Sequence, residues 1–275
     1  MKPISGLSRI AERYDVVLCD VWGVIHNGRE SFPAACDALA HFQAERGPVV
    51  LISNAPRPSA AIHDQLRGFG VPDAAWSGFV TSGDATRALL AERAPGPVWA
   101  IGPERDAPLY EGLDLQFGDL ETAAFICCTG PFDDNVEKAE DYRGRLTRAA
   151  ERNLPFICAN PDLVVQRGDV LIDCAGALAK LYTELGGEVL MAGKPFAPIY
   201  ERSLFEAERL KGRPIDRARV LCLGDGVGTD VKGANAQGLD LLYISGGIHA
   251  AEGDPAALLA RAGAHAAFSL AGLVW

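Results

Sequence analysis

The chain has 275 residues, of which 48% are hydrophobic and 23% charged, with a formal net charge of −10. That length can bury one large core or a core plus an insert, and no apolar run approaches the ~18 to 20 residues a membrane span needs. The acidic balance argues against a general nucleic-acid binder and for work on a small molecule.

The segment Met1-Lys2-Pro3-Ile4-Ser5-Gly6 lacks the apolar stretch of a signal peptide, so export is not expected. The seven cysteines include no pair at the two-residue spacing of a zinc knuckle or redox centre, and most sit in runs that read as buried strands. Reduced core thiols and a cytoplasmic location follow as expectations.

In chain order, the first predicted strand is the run Tyr14-Asp15-Val16-Val17-Leu18-Cys19-Asp20, followed by a helix over 31–46. The second strand, Val49-Val50-Leu51-Ile52, ends at Ser53 and leads into a helix over 58–69. A strand ending near Thr81 precedes a helix over 83–93 and the Pro/Gly connector Ala94-Pro95-Gly96-Pro97. Strands then end near Gly102 and Cys128, with a helix over 135–152, and near Ala159 and Cys174, with a helix over 175–186. The last strands end near Gly193, Gly224 and Ser245, each before a helix, at 195–211, 229–237 and 254–262. No internal repeat or low-complexity tract interrupts the pattern.

These strands are continuous Val/Ile/Leu/Cys runs, as in a parallel sheet covered on both faces, and the predicted class is doubly wound α/β. Four strand ends carry polar chemistry: Asp20, Ser53, Lys194 after Val189-Leu190-Met191-Ala192-Gly193, and Asp225 after Val220-Leu221-Cys222-Leu223-Gly224. Asp20 and Ser53 are 33 residues apart and Lys194 and Asp225 are 31 apart, each about one strand-helix-strand unit, but 141 residues separate Ser53 from Lys194. For all four to meet, the middle must form a second module. The expected division is a core from 1–82 and 186–275 with an α/β cap over 83–185.

Asp20 and Asp225 offer two hard oxygen ligands, and Asp230 could support them from the rim. Oxygen donors without clustered histidine favour Mg²⁺, whose charge with that of Lys194 balances the three carboxylates. Cation and lysine could hold a phosphate dianion while Asp20 attacks phosphorus. In Ser53-Asn54-Ala55-Pro56-Arg57-Pro58-Ser59, a hydroxyl and backbone N–H groups precede a helix N-terminus, a setting for phosphate; Arg57 either adds a guanidinium or is a solvated loop residue.

The ordered set Asp20-Val21-Trp22-Gly23-Val24, Ser53-Asn54, Gly193-Lys194-Pro195 and Gly224-Asp225 with Thr229-Asp230 resembles the haloacid dehalogenase superfamily. Within it, the chain is similar to class IIA phosphohydrolases, the group of NagD and the pyridoxal phosphate phosphatases, which carry an α/β cap between the second and third motifs. Asn160-Pro161-Asp162 resembles the cap loop of that subclass and Gly176-Ala177-Leu178 its return helix. The resemblance implies an aspartyl-phosphate mechanism with Asp20 as nucleophile and Lys194 neutralising charge. Mg²⁺ would be held by Asp20, Asp225 and the backbone carbonyl of Trp22, with Asp230 outer-sphere. Ser53, Asn54, Arg57, Lys194 and Asn160 would contact phosphate or substrate. Arg167, Asp162 and Asp173 are further candidates for specificity, and a homodimer through the cap is the arrangement often met in the subclass.

Trp22 departs from the pattern, because the phosphatases of the superfamily place a general acid/base aspartate two residues after the nucleophile. An indole cannot exchange protons at neutral pH, and losing such help costs ~10²- to 10⁴-fold in rate. The consequence is a slow enzyme, one that prefers good leaving groups, or one that recruits another group; His26 is the nearest titratable residue, against a reading as a plain loop histidine. Three rivals remain. A non-catalytic relative would bind a phosphorylated ligand with the same residues. A haloacid dehalogenase also has an aromatic residue after its aspartate but has no use for the metal motif. A dinucleotide loop at Gly224-Asp225-Gly226-Val227-Gly228 has its third glycine one residue early and an acid where pyrophosphate would sit.

Overall fold

The computed structural model describes residues 1–167 and 170–275; for 166, 167 and 170 it describes the backbone alone. Strands and helices follow one another as β1 (Lys2–Pro3), β2 (Val16–Asp20), α1 (Pro33–Glu45), β3 (Val49–Ser53), α2 (His63–Gly68), β4 (Gly78–Thr81), α3 (Ser82–Ala91), β5 (Val98–Ile101) and β6 (Phe125–Cys128). They continue as α4 (Arg143–Glu151), β7 (Phe156–Cys158), β8 (Val164–Arg167), β9 (Val170–Asp173), α5 (Ala175–Glu184) and β10 (Val189–Met191). The chain then forms α6 (Ala197–Lys211), β11 (Val220–Gly224), α7 (Lys232–Gln237), β12 (Asp240–Ile244), α8 (Pro255–Arg261) and β13 (Phe268–Leu270).

Two compact units result. The first comprises Met1–Ser53, Ile62–Val80 and Lys194–Trp275. It holds a seven-stranded sheet in the order β1-β13-β12-β11-β2-β3-β4, in which β2 pairs in parallel with both β3 and β11. Every residue of β2, β3 and β11 is buried, which is why these strands read as unbroken apolar runs rather than alternating ones. Both α1 and α6 pack against β3. Pro33 opens α1, where a missing N–H costs nothing, and Gly212 closes α6 in the left-handed region. The α/β class read from the sequence is the class observed.

The second unit comprises Asn54–Ala61 and Thr81–Gly193. Its parallel four-stranded sheet runs β10-β7-β6-β5, and β8 and β9 form a separate antiparallel pair. Successive residues of β6 and β7 enter opposite clusters, as a pleated strand requires. Ile126, Cys128, Phe156 and Cys158 meet Leu146 of α4 and Leu178 and Tyr182 of α5, whereas Phe125, Cys127 and Ile157 meet Leu90 of α3 and Leu109. The sequence-based end of the cap at 185 falls short of this unit, because β10 pairs with β7 and so joins the second sheet. The run ending near Cys174 is one arm of a hairpin rather than a parallel strand, and β1, β8 and β13 were not foreseen. No helix among the described residues is long and apolar enough to cross a membrane, and all seven cysteines are buried and free.

Phe156 is fully buried and stacks on Tyr182 at 5.2 Å between ring centroids, and the Tyr182 hydroxyl donates to the Leu154 carbonyl at 2.6 Å. Phe156→Ala is expected to destabilise the second unit by about 3–5 kcal/mol, measured by urea denaturation, through loss of burial and the cavity left behind.

Candidate active site

The register of the first sheet gathers the polar strand ends. Asp20 lies opposite Ile52, which puts Ser53 one step beyond it on one side, and Cys19 lies opposite Leu223, which brings Gly224 level with Asp20 and Asp225 one step beyond on the other. These are the carboxyl ends of parallel strands, where open α/β sheets present their chemistry. Asp20, Ser53, Lys194, Asp225 and Asp230 are all buried.

Lys194 Nζ donates to Asp20 Oδ1 at 2.5 Å and to Asp230 Oδ1 at 2.7 Å. Asp230 Oδ2 accepts the Gly226 N–H at 2.9 Å, so both its oxygens are engaged. Asp225 Oδ2 accepts the Ile248 N–H at 2.7 Å. The sequence reading missed this last group; the Gly246-Gly247 pair just after a strand end was the signal available. Gly23 has a φ of +76°, and a Cβ there would lie 2.0 Å from Asp225 Oδ2, so the turn after Asp20 can close over this carboxylate only with glycine.

Burial, and then the charge of Asp230, hold the Asp20 carboxyl well above the usual carboxylate range despite the pull of Lys194. Burial, again followed by Asp230, pushes Asp225 up to about 6. Burial opposes the charge on Lys194, but Asp20 and Asp230 together hold its ammonium above the ordinary lysine value. The donor set fits a hard divalent cation. One carboxylate oxygen from each of Asp20, Asp225 and Asp230 lies within 4.8 Å of the others, and with all three ionised Lys194 compensates only one of them, leaving the charge that such an ion would balance.

The loop after Asp20 settles the place of His26. Its ring is 2% exposed, its Nδ1 accepts the Gly28 N–H at 2.9 Å, and burial lowers its pKa to about 4. It is a neutral packing residue, between Trp22 at 5.2 Å and Phe69 at 4.9 Å centroid distance. Trp22 itself is 48% exposed.

The other predicted contacts belong to the second unit. Asn54 Nδ2 donates to Asp162 Oδ1 at 2.8 Å, and the Asp162 N–H donates to Asn160 Oδ1 at 3.1 Å, so the residues foreseen at 54, 160 and 162 form one chain of bonds. The Arg57 guanidinium lies 3.9 Å from buried Asp106, a partner no sequence pattern indicated. Asp173 accepts the Ala139 N–H at 2.8 Å and lies 3.6 Å from Lys138, which accounts for it as a local brace. The side chain of Arg167 lies outside the described residues.

Family models described as haloacid dehalogenase-like hydrolase and HAD-hydrolase-like match residues 17–116 and 191–273. A crystal structure of a haloacid dehalogenase-like hydrolase from Brucella suis is 48% identical over 98% of this chain and 100% of that one, with a TM-score of 0.89. The chain belongs to the haloacid dehalogenase-like hydrolases. Among curated relatives, the 5'-nucleotidase YutF of Bacillus subtilis is 25% identical over 86% of this chain and 88% of its own length. The D-glycerol 3-phosphate phosphatase of Mycobacterium tuberculosis is 28% identical over 89% of this chain and 67% of its own length.

Because Asp225 holds a proton below about pH 6, the folded protein without a cation loses stability as pH rises from ~4 through that value. A divalent cation binds the deprotonated form and should restore it. The melting temperature is therefore expected to rise more with Mg²⁺ at pH 7.5 than at pH 5, measured by calorimetry.

Proposed function

We propose that this hydrolase is a Mg²⁺-dependent phosphatase that cleaves a small phosphorylated metabolite through an aspartyl-phosphate on Asp20. The observation that carries the reading is the buried ammonium of Lys194 bridging Asp20 and Asp230 beside Asp225. Such a cluster is costly to bury and suits a divalent cation and then a phosphate dianion, and it has no evident purpose in packing. The relatives named as a 5'-nucleotidase and a glycerol phosphate phosphatase act on phosphate monoesters, which supports the same class here.

Asp20, Asp225 and the backbone carbonyl of Trp22 would hold Mg²⁺, with Asp230, both of whose oxygens are engaged, in an outer-sphere place. When bound, the ion supplies charge neutralisation for the phosphoryl oxygens. Lys194 neutralises the charge at Asp20 and orients its carboxylate. The Ser53 hydroxyl binds a phosphoryl oxygen. Asn54, Arg57 and Asn160 contribute to substrate recognition, Arg57 with Asp106 as its brace. Attack by an Asp20 oxygen on phosphorus expels the leaving oxygen, and water hydrolyses the acyl phosphate. Trp22 supplies no proton to either step, so turnover is slow for ordinary alcohols.

The exposed indole also supports a second reading, a relative that binds a phosphorylated ligand without turning it over. Hydrolysis of 4-nitrophenyl phosphate separates the two. The enzyme reading expects Mg²⁺-dependent release of 4-nitrophenol that is lost with EDTA and falls at least about 10⁴-fold in Asp20→Asn. Wild-type protein that binds inorganic phosphate with Mg²⁺ yet hydrolyses nothing would favour the binder.

A further inference from the structure

Among the described residues of the first unit, four groups in or next to the Asp20 cluster that could carry a proton are already committed. Lys194 is ion-paired with Asp20 and Asp230, and Asp225 accepts the Ile248 N–H and belongs to the cation set. The imidazole of His26 is buried, with Nδ1 accepting the Gly28 N–H. The Cys19 thiol is buried and donates to the Asp20 carbonyl at 3.1 Å. Trp22, two residues after Asp20, stands exposed, and an indole has no proton to give at neutral pH.

The ring is also held in place. His26 meets it edge-on at 5.2 Å, and a Cβ on Gly28 would lie 2.2 Å from Trp22 Cη2, so the six-membered edge rests against the Gly28 backbone. The loop is fastened beneath it by the Gly23 N–H donating to the His26 carbonyl at 3.0 Å and the Asn27 N–H donating to the Glu30 carbonyl at 3.2 Å. An indole packed by its edge but 48% exposed offers a fixed apolar face on the loop that follows Asp20.

We infer that Trp22 sets the substrate class: phosphate compounds whose leaving oxygen departs as a stable anion from a planar group, namely aryl phosphates and the mixed anhydrides of aromatic acids. The inference rests on the phosphatase reading and deepens it. In the first step an Asp20 oxygen bonds to phosphorus, the bond from phosphorus to the leaving oxygen breaks, and the electron pair leaves with that oxygen as a phenolate or carboxylate. In the second, water adds to phosphorus, the bond to the Asp20 oxygen breaks, and dihydrogen phosphate and the free carboxylate result. No proton has to reach the leaving group inside the site.

The test is the dependence of kcat/KM on the leaving group, measured with Mg²⁺ for 4-nitrophenyl phosphate, phenyl phosphate, whose phenol has a pKa of ~10, and glycerol 3-phosphate. The wild type is expected to lose activity steeply along this series. Trp22→Asp should recover part of the ~10²- to 10⁴-fold that general acid help supplies, and do so for glycerol 3-phosphate above all. Trp22→Phe, which restores no proton, should keep the steep dependence. Equal wild-type kcat/KM across the series overturns the inference while leaving the phosphatase reading intact, as does a steep series unchanged in a folded Trp22→Asp protein. If Trp22→Asp does not fold, the wild-type and Trp22→Phe slopes decide. Absence of hydrolysis of every substrate removes the phosphatase reading and this inference with it.

Discussion

One ammonium group holds the centre of the first unit together. Lys194 sits 2.5 Å from Asp20 and 2.7 Å from Asp230, and without that charge three buried carboxylates would face one another across a few ångströms of low-dielectric interior. Burying ions is expensive, and removing one partner from such a set typically costs 3–5 kcal/mol by leaving the others uncompensated. The arrangement therefore carries a standing electrostatic cost, visible in the raised pKa values of Asp20 and Asp225. A divalent cation held among these carboxylates would relieve it.

The sheet makes this cluster possible and the loops make it specific. Parallel pairing of β2 with β3 and β11 aligns three strand ends, so that residues far apart in sequence become neighbours without any long side chain having to reach. The turn after Asp20 then folds back on itself. Gly23 clears the way for Asp225, and Gly28 gives the Trp22 ring a backbone to rest on. That packing takes His26 out of acid-base chemistry, because the contacts that fix the indole also bury the imidazole. The chemical character of the site thus follows from how one short loop is packed, as much as from the ionised residues themselves.

Much of this was legible in the sequence, for a physical reason. A strand buried on both faces must be apolar throughout, so an Asp20, Lys194 or Asp225 that ends such a run stands out. The pairing partners of those strands were less legible. Val189–Met191 reads like any other buried strand, and only tertiary contact with β7 assigns it to the second sheet. The pair of β8 and β9 was obscured because each arm has only four residues and ends in polar ones, Gln166 and Arg167 in one and Asp173 in the other, and β1 because two residues, Lys2 and Pro3, carry no periodicity. Asp106 was invisible since its place depends on meeting Arg57 from a segment about fifty residues away. His26 could be named as a candidate but not excluded, because its burial is decided by Phe69 and Trp22.

The central claim is that Asp20, set in the Lys194 cluster, becomes covalently phosphorylated during turnover. The most direct measurement is rapid acid quench of the protein with Mg²⁺ and an aryl phosphate labelled at phosphorus, followed by mass spectrometry of its peptides. The account expects label on the peptide containing Asp20, sensitive to hydroxylamine as an acyl phosphate must be, and none in Asp20→Asn. Turnover without label on Asp20, or with label on another residue, would contradict it.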